Sequence, residues 1–196
     1  GCGFVGRHLV NRLLNENHKV VVVDNLYSGI HPNMWVDDKL KSNLIFHNVD
    51  ARDFFASTKS FEQKFDNVFH LSAVVGGRIK IDKDPISVAQ DLSIDSEFFN
   101  WSVKSKPSQI LYASSSAAYP TNLQQSDSQT LLSEDMITFD GTLGSPDMTY
   151  GWSKLTGEYL SRLASKHYGL NIACIRPFSG YGEDQDKSYP VPAIGE

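Results

Sequence analysis

The sequence begins with closely spaced glycines, Gly1-Cys2-Gly3-Phe4-Val5-Gly6, that lead directly into a segment with helical periodicity. Apolar residues recur at helical spacing between positions 5 and 14, which predicts an amphipathic helix over residues 4–16. A β-branched run at residues 20–23 follows and ends at Asp24, as expected for a parallel strand covered on both faces. A glycine turn, a helix and a strand in this order indicate an α/β fold.

The same alternation continues along the chain. Helical stretches are predicted near residues 85–105 and 148–168, and further apolar runs typical of strands occupy residues 44–46, 68–71, 110–113 and 172–175. Such alternation predicts a doubly wound parallel sheet with helices on both faces, a Rossmann fold. With 196 residues, of which 40% are hydrophobic, the chain is expected to form one nucleotide-binding domain over residues 1–196. The irregular stretch 120–147 is expected to be a functional or mobile loop.

Composition excludes several classes of function. The net charge is −5 and the chain has no run of Lys or Arg, which argues against a nucleic-acid partner. No apolar stretch approaches the roughly 18 residues that a membrane span needs. Only Cys2 and Cys174 occur, too few for a disulfide scaffold and too far apart in sequence to suggest a metal site. This cysteine usage fits the reducing cytoplasm and predicts no bound metal.

The glycine turn and Asp24 together indicate a dinucleotide site. Backbone amides at such a turn approach a pyrophosphate closely, and the N-terminus of the following helix favours its charge. Gly3 and Gly6 occupy the turn, while Asp24 is placed to accept both adenosine ribose hydroxyls and would repel a 2′-phosphate. The pattern favours NAD over NADP, the alternative being a solvated carboxylate at a strand end. Asp50, in Val49-Asp50-Ala51 after the third strand, is expected to reach the adenine amine.

Tyr150 and Lys154 lie four residues apart and therefore on one helical face. That spacing is common by chance, but Ser114-Ser115-Ser116 directly follows the predicted strand at 110–113. Strand ends of this kind are where open α/β sheets bind ligands. Lys154 is expected to lower the pKa of Tyr150 and hold a nicotinamide ribose, Tyr150 to move a proton, and one serine hydroxyl to position the substrate. The alternative for the serines is a turn with local backbone bonds.

These residues resemble the NAD-dependent epimerase/dehydratase family, extended short-chain dehydrogenases that modify nucleotide sugars. Four segments carry the resemblance: the glycine motif at 1–8 without its first glycine, the ribose-binding stretch 23–29, the fourth strand 70–73, and Arg176-Pro177-Phe178-Ser179-Gly180-Tyr181-Gly182. The resemblance implies a nucleotide-sugar substrate contacted by Ser116 and Ser179. The cofactor-binding residues that it implies are Gly1, Gly3, Phe4, Val5, Gly6, Asp24, Asn25, Asp50, Ala51, Leu71, Ser72, Ala73, Tyr150, Lys154 and Pro177.

The resemblance also indicates the reaction. The family's spacing from its catalytic hydroxyl to Tyr119 selects Ser115 among the three serines. Dehydratases and decarboxylases of the family carry an acid two residues before that tyrosine, and 3,5-epimerases carry a cysteine, whereas this chain has Ala117. What remains resembles the UDP-glucose 4-epimerase-like branch: Tyr150 takes the C4 hydroxyl proton, hydride passes to NAD and returns, and a sugar centre is inverted through a transient keto intermediate.

Three alternatives stay open at this point. An epimerase-reductase similar to GDP-fucose synthase is favoured by Val75-Gly76-Gly77 and Tyr119-Pro120, and opposed by Ala117 and by Asp24, since that reductase uses NADPH. The second alternative is another NAD(P)-dependent nucleotide-sugar oxidoreductase or dehydratase. The third is a catalytically idle NAD-binding scaffold. The identity of the sugar and of the nucleotide is left open by three departures from the family pattern, namely Asp91 for Asn, Ser179 for Asn, and Gly182-Glu183-Asp184 for Gly-Pro-Arg.

The two ends of the sequence carry expectations of their own. In the sheet order of this fold, the strand that precedes the glycine motif is central, so residues 1–196 are expected to lack it and to be poorly stable and inactive alone. The substrate lobe is expected to lie beyond Tyr189-Pro190-Val191-Pro192. The resemblance further indicates a homodimer formed through helices 85–105 and 148–168, the alternative being that these helices face solvent.

Overall fold

A computed structural model describes residues 1–57, 61, 63–74, 78–125, 130–186, 189, 191 and 194. Its helices are α1 (Phe4–Asn15), α2 (Ala51–Ala56), α3 (Arg78–Lys83), α4 (Pro85–Val88), α5 (Gln90–Ser105) and α6 (Met148–Tyr168). Its strands are β1 (Val20–Asp24), β2 (Leu44–Asn48), β3 (Asn67–His70), β4 (Gln109–Ala113) and β5 (Ile172–Ile175). Every predicted strand is present. The predicted helix 85–105 is interrupted at Ala89, so that one turn, α4, precedes the long helix α5.

All strand pairs are parallel, as predicted. β1 pairs with β2, and β4 lies between β3 and β5. The chain divides into two compact units, the first formed by Gly1–Glu62 with Tyr181–Glu196 and the second by Gln63–Gly180. β1 and β2 belong to the first unit, and the other three strands belong to the second.

The first unit has its core on one face of β1. Val20 and Val22 are buried there against Val10 and Leu14 of α1. The alternate residues of the strand, at 21 and 23, are half-buried. The strand is therefore fully covered on one face only, whereas the sequence predicted cover on both.

The second unit places α5 and α6 against each other and buries large aromatic side chains of α5 and β4, among them Phe98 and Tyr112. It also buries many polar groups, namely His70, Asp91, Asp95, Ser102, Ser114, Ser153, Lys154, Glu158 and Ser161. Buried polar groups need partners. Most of these lie on α5, α6 or the end of β4, which is where the predicted catalytic residues are found.

The predicted irregular stretch is irregular where the structure describes it. Over 120–125 and 130–147, the regular structure consists of two 3₁₀ turns, Thr121–Leu123 and Glu134–Met136, and α6 begins only at Met148. Three sequence features, Val75-Gly76-Gly77, Pro190 and Pro192, lie outside the described residues. Within the described part of the chain, no helix combines the length and apolar character needed to cross a membrane.

Candidate active site

The segment that follows β4 holds Ser115 in a defined place. The Ser114 amide donates to the Ile175 carbonyl at 2.8 Å, and the Ser116 amide donates to the Pro177 carbonyl at 3.1 Å. These bonds continue the pairing of β4 with β5 past the ends of both strands. Ser115, extended between its two anchored neighbours, accepts a hydrogen bond from the Ala117 amide on its Oγ at 3.1 Å.

Tyr150 lies in the first turn of α6, where the Ser115 hydroxyl is near enough to lower the pKa of its phenol. Burial raises the pKa of the Tyr150 phenol, the interaction with Ser115 lowers this pKa, and the charge of Asp91 raises it; the net shift is upward. The hydroxyl of Ser114, by contrast, donates to Glu158. The structure thus brings Tyr150 together with Ser115, the serine that the sequence selects.

Lys154 follows Tyr150 by one turn and is 5% exposed. Its Nζ donates to the Ala113 carbonyl at 3.1 Å. The same nitrogen lies 5.6 Å from the ring centroid of Tyr112 and 5.7 Å from that of Tyr150. Lys154 was expected to lower the pKa of Tyr150. In the structure its ammonium points at the Ala113 carbonyl, and burial of the phenol is the largest influence on the Tyr150 pKa, which it raises.

His70, Asp95 and Tyr112 form a buried polar cluster in the same unit as this site. Asp95 of α5 accepts hydrogen bonds from His70 Nε2 at 2.8 Å and from the Tyr112 hydroxyl at 2.6 Å. The imidazole of His70 stacks on Phe98 with 3.9 Å between ring centroids. Complete burial lowers the pKa of His70, although the bond with Asp95 opposes this shift. Sequence reasoning did not single out Asp95 or Tyr112; a carboxylate inside the apolar face of a predicted helix was the available signal.

The glycine turn of the first unit is tightly packed at two positions. A Cβ on Gly1 would lie 2.5 Å from Val22, and one on Gly6 would lie 2.4 Å from the Gly1 carbonyl. A Cβ on Gly3, the N-cap of α1, would meet no atom within 4 Å. α1 has no side-chain cap and no acidic residue in its first turn. Its first amides, which include those of Phe4 and Val5, therefore form an N-terminus suited to an anion.

Asp24 connects the end of β1 to this turn. Its carboxylate accepts hydrogen bonds from the Cys2 amide at 2.8 Å, the Leu26 amide at 2.8 Å and the Gly1 backbone nitrogen at 2.9 Å. Burial raises the pKa of Asp24, and the hydrogen bonds from the Cys2 and Leu26 amides lower it. A carboxylate offers about four acceptor positions. Capacity therefore remains for a ribose hydroxyl, and these residues fit a dinucleotide.

Asp50 is more fully engaged than the sequence suggests. It caps α2 through the Arg52 amide at 2.9 Å and binds the Arg52 guanidinium through both carboxylate oxygens, at 2.9 Å each. Asn25 donates to it at 3.4 Å. These bonds lower the pKa of Asp50, the Arg52 side chain most of all. A contact with an adenine amine would require Arg52 to turn away.

The remaining predicted residues are located as follows. Ala51 is the first residue of α2. Leu71, Ser72 and Ala73 come directly after β3 and are half-buried. Ser116 is half-buried in the anchored segment, and Ser179, after β5, is exposed. The glycine turn with Asp24 belongs to the first unit, and Ser115, Tyr150 and Lys154 belong to the second.

Comparison with known proteins places this arrangement in a family. The family model described as the NAD dependent epimerase/dehydratase family matches residues 1–193. The putative UDP-glucose 4-epimerase of Methanocaldococcus jannaschii is 27% identical, over 95% of this chain and 56% of its own length. The UDP-glucose 4-epimerase of Halalkalibacterium halodurans is 28% identical, over 100% of this chain and 52% of its own length. The chain thus spans about half the length of these curated relatives.

A solved structure supports the fold. The UDP-glucose 4-epimerase of Thermus thermophilus, determined in complex with NAD, has a TM-score of 0.76 at 24% identity, over 95% of this chain and 55% of that one. The predicted Rossmann-type fold and the predicted family are confirmed, and the NAD expected from the glycine turn and Asp24 is the cofactor for which that family is named. The chain belongs to the NAD-dependent epimerase/dehydratase family.

Proposed function

We propose that the protein is a nucleotide-sugar epimerase that inverts one hydroxyl centre, C4, through a transient keto intermediate. The observation that carries the proposal is the approach of the Ser115 hydroxyl to the half-buried Tyr150 phenol, with the ammonium of Lys154 buried one turn along α6. Tyr150 and Lys154 form an acid-base pair beside the end of a parallel strand, which is where such folds bind substrates.

Each residue has a distinct role in the proposed reaction. The Tyr150 phenolate takes the proton of the C4 hydroxyl. It later returns a proton to the C4 oxygen of the inverted sugar. Ser115 shares its hydrogen bond between the phenol and the sugar hydroxyl, and Lys154 binds the nicotinamide ribose. NAD, when bound, supplies the chemistry of removing hydride from C4 and giving it back. Because hydride returns to the same carbon, no net oxidation occurs.

The surroundings of Ala117 favour inversion over elimination. Its amide donates to Ser115, and its carbonyl accepts from the Asp147 amide at 3.0 Å. A Cβ on Gly151 would approach that carbonyl to 2.3 Å, so α6 packs directly on the Ala117 backbone. The methyl side chain offers neither an acid nor a thiol. Inversion at a carbon that has lost hydride needs neither.

The residues of the first unit support NAD as the partner of this chemistry. The open N-terminus of α1 suits a pyrophosphate, and Asp24 suits an unphosphorylated ribose. The cofactor contacts proposed for Asn25, Asp50, Ala51, Leu71, Ser72, Ala73 and Pro177, and the substrate contacts proposed for Ser116 and Ser179, rest on the family resemblance. A homodimer through α5 and α6 also stays a proposal, supported by the exposure of Leu92 and Trp152 on these helices.

The direct test is a conversion assay with the full-length protein. UDP- and GDP-hexoses are incubated with it, and inversion at C4 is followed by NMR. Tyr150→Phe is expected to lower kcat by about 10²–10⁴-fold, the usual share of a positioned acid-base group. Tyr159→Phe is the matched control, because Tyr159 lies on the same helix with an exposed side chain. Undiminished turnover by Tyr150→Phe would exclude the mechanism.

An epimerase-reductase is the second candidate. Tyr119 is buried. Pro120 packs so closely on Gly144 that a Cβ on Gly144 would lie 2.4 Å from the Pro120 side chain. The Tyr119-Pro120 signature therefore has a defined place in the fold. Such an enzyme consumes one reduced nicotinamide per sugar. Stoichiometric loss of NADPH or NADH absorbance during conversion would favour it, and turnover without any absorbance change would favour the epimerase.

A further inference from the structure

We propose that Arg176, acting through Glu158, is a positioning residue that fixes the Ser115 hydroxyl against Tyr150. The inference rests on the proposed function, since it concerns the same site. In the sequence, Arg176 stands out only as the first residue of the segment 176–182. In the structure, Arg176 anchors both ends of the segment 114–119 that carries Ser115.

The first anchor is a buried ion pair. Arg176 donates from Nε to Glu158 Oε1 at 2.8 Å and from Nη2 to Glu158 Oε2 at 2.7 Å. The same carboxylate accepts the Ser114 hydroxyl. The Glu158 side chain is 4% exposed and that of Arg176 is 15% exposed. A buried carboxylate without its cation would be strongly destabilising, so Arg176 is needed to keep the acceptor of Ser114 in place.

The second anchor is at Tyr119. Arg176 Nη1 donates to the Tyr119 hydroxyl at 3.2 Å and to the Glu134 carbonyl at 3.0 Å. The guanidinium carbon lies 4.9 Å from the ring centroid of Tyr119. A planar fork can serve Glu158 and Tyr119 together, whereas a lysine ammonium has a single centre and cannot span both.

The position of Glu158 couples these anchors to the acid-base pair. Glu158 lies four residues after Lys154 and eight after Tyr150 on α6, and hence on the same side of the helix. The fork therefore ties the segment of Ser115 to the helix of Tyr150. The backbone bonds of Ser114 and Ser116 hold that segment to β5, and the packing of Gly151 on the Ala117 backbone holds its middle to α6. The fork of Arg176 adds the side-chain contacts at the two ends of the segment.

A double-mutant cycle in the full-length protein separates positioning from general stability. Arg176→Lys is expected to lower kcat about tenfold when Ser115 is present and less than about twofold in the Ser115→Ala background, because coupled residues are non-additive. KM should change little in both. Arg162→Lys is the matched control, since Arg162 lies on α6 and pairs with Asp140 at the surface. If Arg176→Lys is too unstable to assay, Tyr119→Phe removes one anchor and is expected to show the same dependence on Ser115.

A second readout does not need turnover. Tyrosine labelled with ¹³C at Cζ reports ionisation of Tyr150 by NMR, with the signal assigned from Tyr150→Phe. Ser115→Ala and Arg176→Lys are both expected to move the Tyr150 midpoint to higher pH. Arg176→Lys keeps its positive charge, and Asp91 and Lys154 are unchanged, so the shift reports the Ser115 hydrogen bond rather than a change of charge.

These measurements separate the positioning role of Arg176 from the proposed function. An equal loss of kcat with and without Ser115, or a Tyr150 midpoint that moves in Ser115→Ala but not in Arg176→Lys, would overturn the positioning role. If the unmodified protein converts no nucleotide sugar, the proposed function fails, and the NMR titration still decides whether Arg176 positions Ser115.

Discussion

At the scale of single residues, the candidate site combines a phenol that burial makes harder to ionise with a neighbour that makes ionisation easier. Desolvation disfavours the phenolate of Tyr150, and the charge of Asp91 adds to this. The hydrogen bond of Ser115 opposes both. Ser115 therefore has two functions in the proposed reaction, because it orients the substrate hydroxyl and also sets the pH at which Tyr150 can act.

A pH profile tests this second function of Ser115. If the phenolate is the base, kcat/KM rises with pH through the pKa of Tyr150. Ser115→Ala removes an interaction that lowers this pKa, so the rising limb is expected to move to higher pH. Ser93→Ala, on the exposed side of α5, is the control and should leave the limb in place. A limb that stays unmoved in Ser115→Ala would show that another group controls it.

Asp24 supports a prediction about the cofactor. Asp24→Asn removes the charge that repels a 2′-phosphate and weakens hydrogen bonds to the ribose. The Kd for NAD is expected to rise about 10–100-fold, as for the loss of a charged hydrogen bond, while the ratio of NADP to NAD affinity rises. Calorimetry with both nucleotides measures this. Asp38→Asn is the control because Asp38 is at the surface, and equal weakening for NAD and NADP would contradict the assignment.

Short-range patterns predicted the site residues that the structure brings together, and long-range partners escaped them. Ser115 follows a recognisable strand, and Tyr150 lies in a recognisable helix. The bond from Ser114 to Glu158 spans 44 positions, and those from Arg176 to Glu158 and from Tyr112 to Asp95 span 18 and 17. Side-chain contacts at such separations depend on tertiary packing, which periodicity does not describe.

At the scale of elements, α6 carries most of the candidate site on its buried side. Gly151 lets the helix approach the Ala117 backbone closely, and Gly157 lets it approach Tyr112 of β4. Periodicity predicted this helix well, since α6 covers Met148–Tyr168 as expected. It did not predict the interruption at Ala89, where the Ala89 amide donates to the Ile86 carbonyl at 3.0 Å and the Leu92 amide donates to the Ala89 carbonyl at 3.1 Å, both three residues apart as in a 3₁₀ turn.

Gly157 gives a test of this close approach. In an ordinary helix, Gly→Ala stabilises by about 1 kcal/mol. Here a Cβ would lie 1.8 Å from the Tyr112 hydroxyl and 2.7 Å from Asp95 Oδ2, so the sign is expected to reverse, with a loss of about 1–3 kcal/mol from overpacking. Denaturant unfolding measures it. Gly141→Ala, where a Cβ meets Thr138 Oγ1 at 3.4 Å, should be nearly neutral. A more stable Gly157→Ala protein would contradict the packing.

At the scale of the whole molecule, the order of strands and helices in the sequence predicts the fold class, but it does not predict which strands pair with each other. The sequence predicted parallel strands throughout, and all pairs are parallel. It predicted one sheet, whereas the described strands form sheets of two and three. β1 and β3 belong to different sheets. In the strand order expected for this fold, these two strands are not neighbours, because the strand expected before the glycine motif lies between them.

The buried histidine links this architecture to the stability of the protein in acid. His70 joins β3 to α5 through Asp95 and stacks on Phe98, and burial lowers its pKa below the ordinary 6.5. The folded state therefore keeps His70 neutral at pH values where the unfolded chain binds a proton. Its contribution to stability is fully present above pH 6.5 and is lost as the pH falls below that value towards the lowered pKa.

Thermal melts between about pH 5 and 7.5, around the ordinary histidine pKa, test this linkage in the full-length protein. The Tm of the unmodified protein is expected to fall as the pH falls through this window. His70→Gln keeps a donor for Asp95 but does not titrate, so its Tm, though lower at pH 7.5, should change less with pH. His18→Gln removes a histidine whose side chain is 60% exposed and should keep the original slope. Asp50, whose pKa is lowered from 3.8, loses its contribution at lower pH than this window. An unchanged slope in His70→Gln would therefore show that another group controls stability between pH 5 and 7.5.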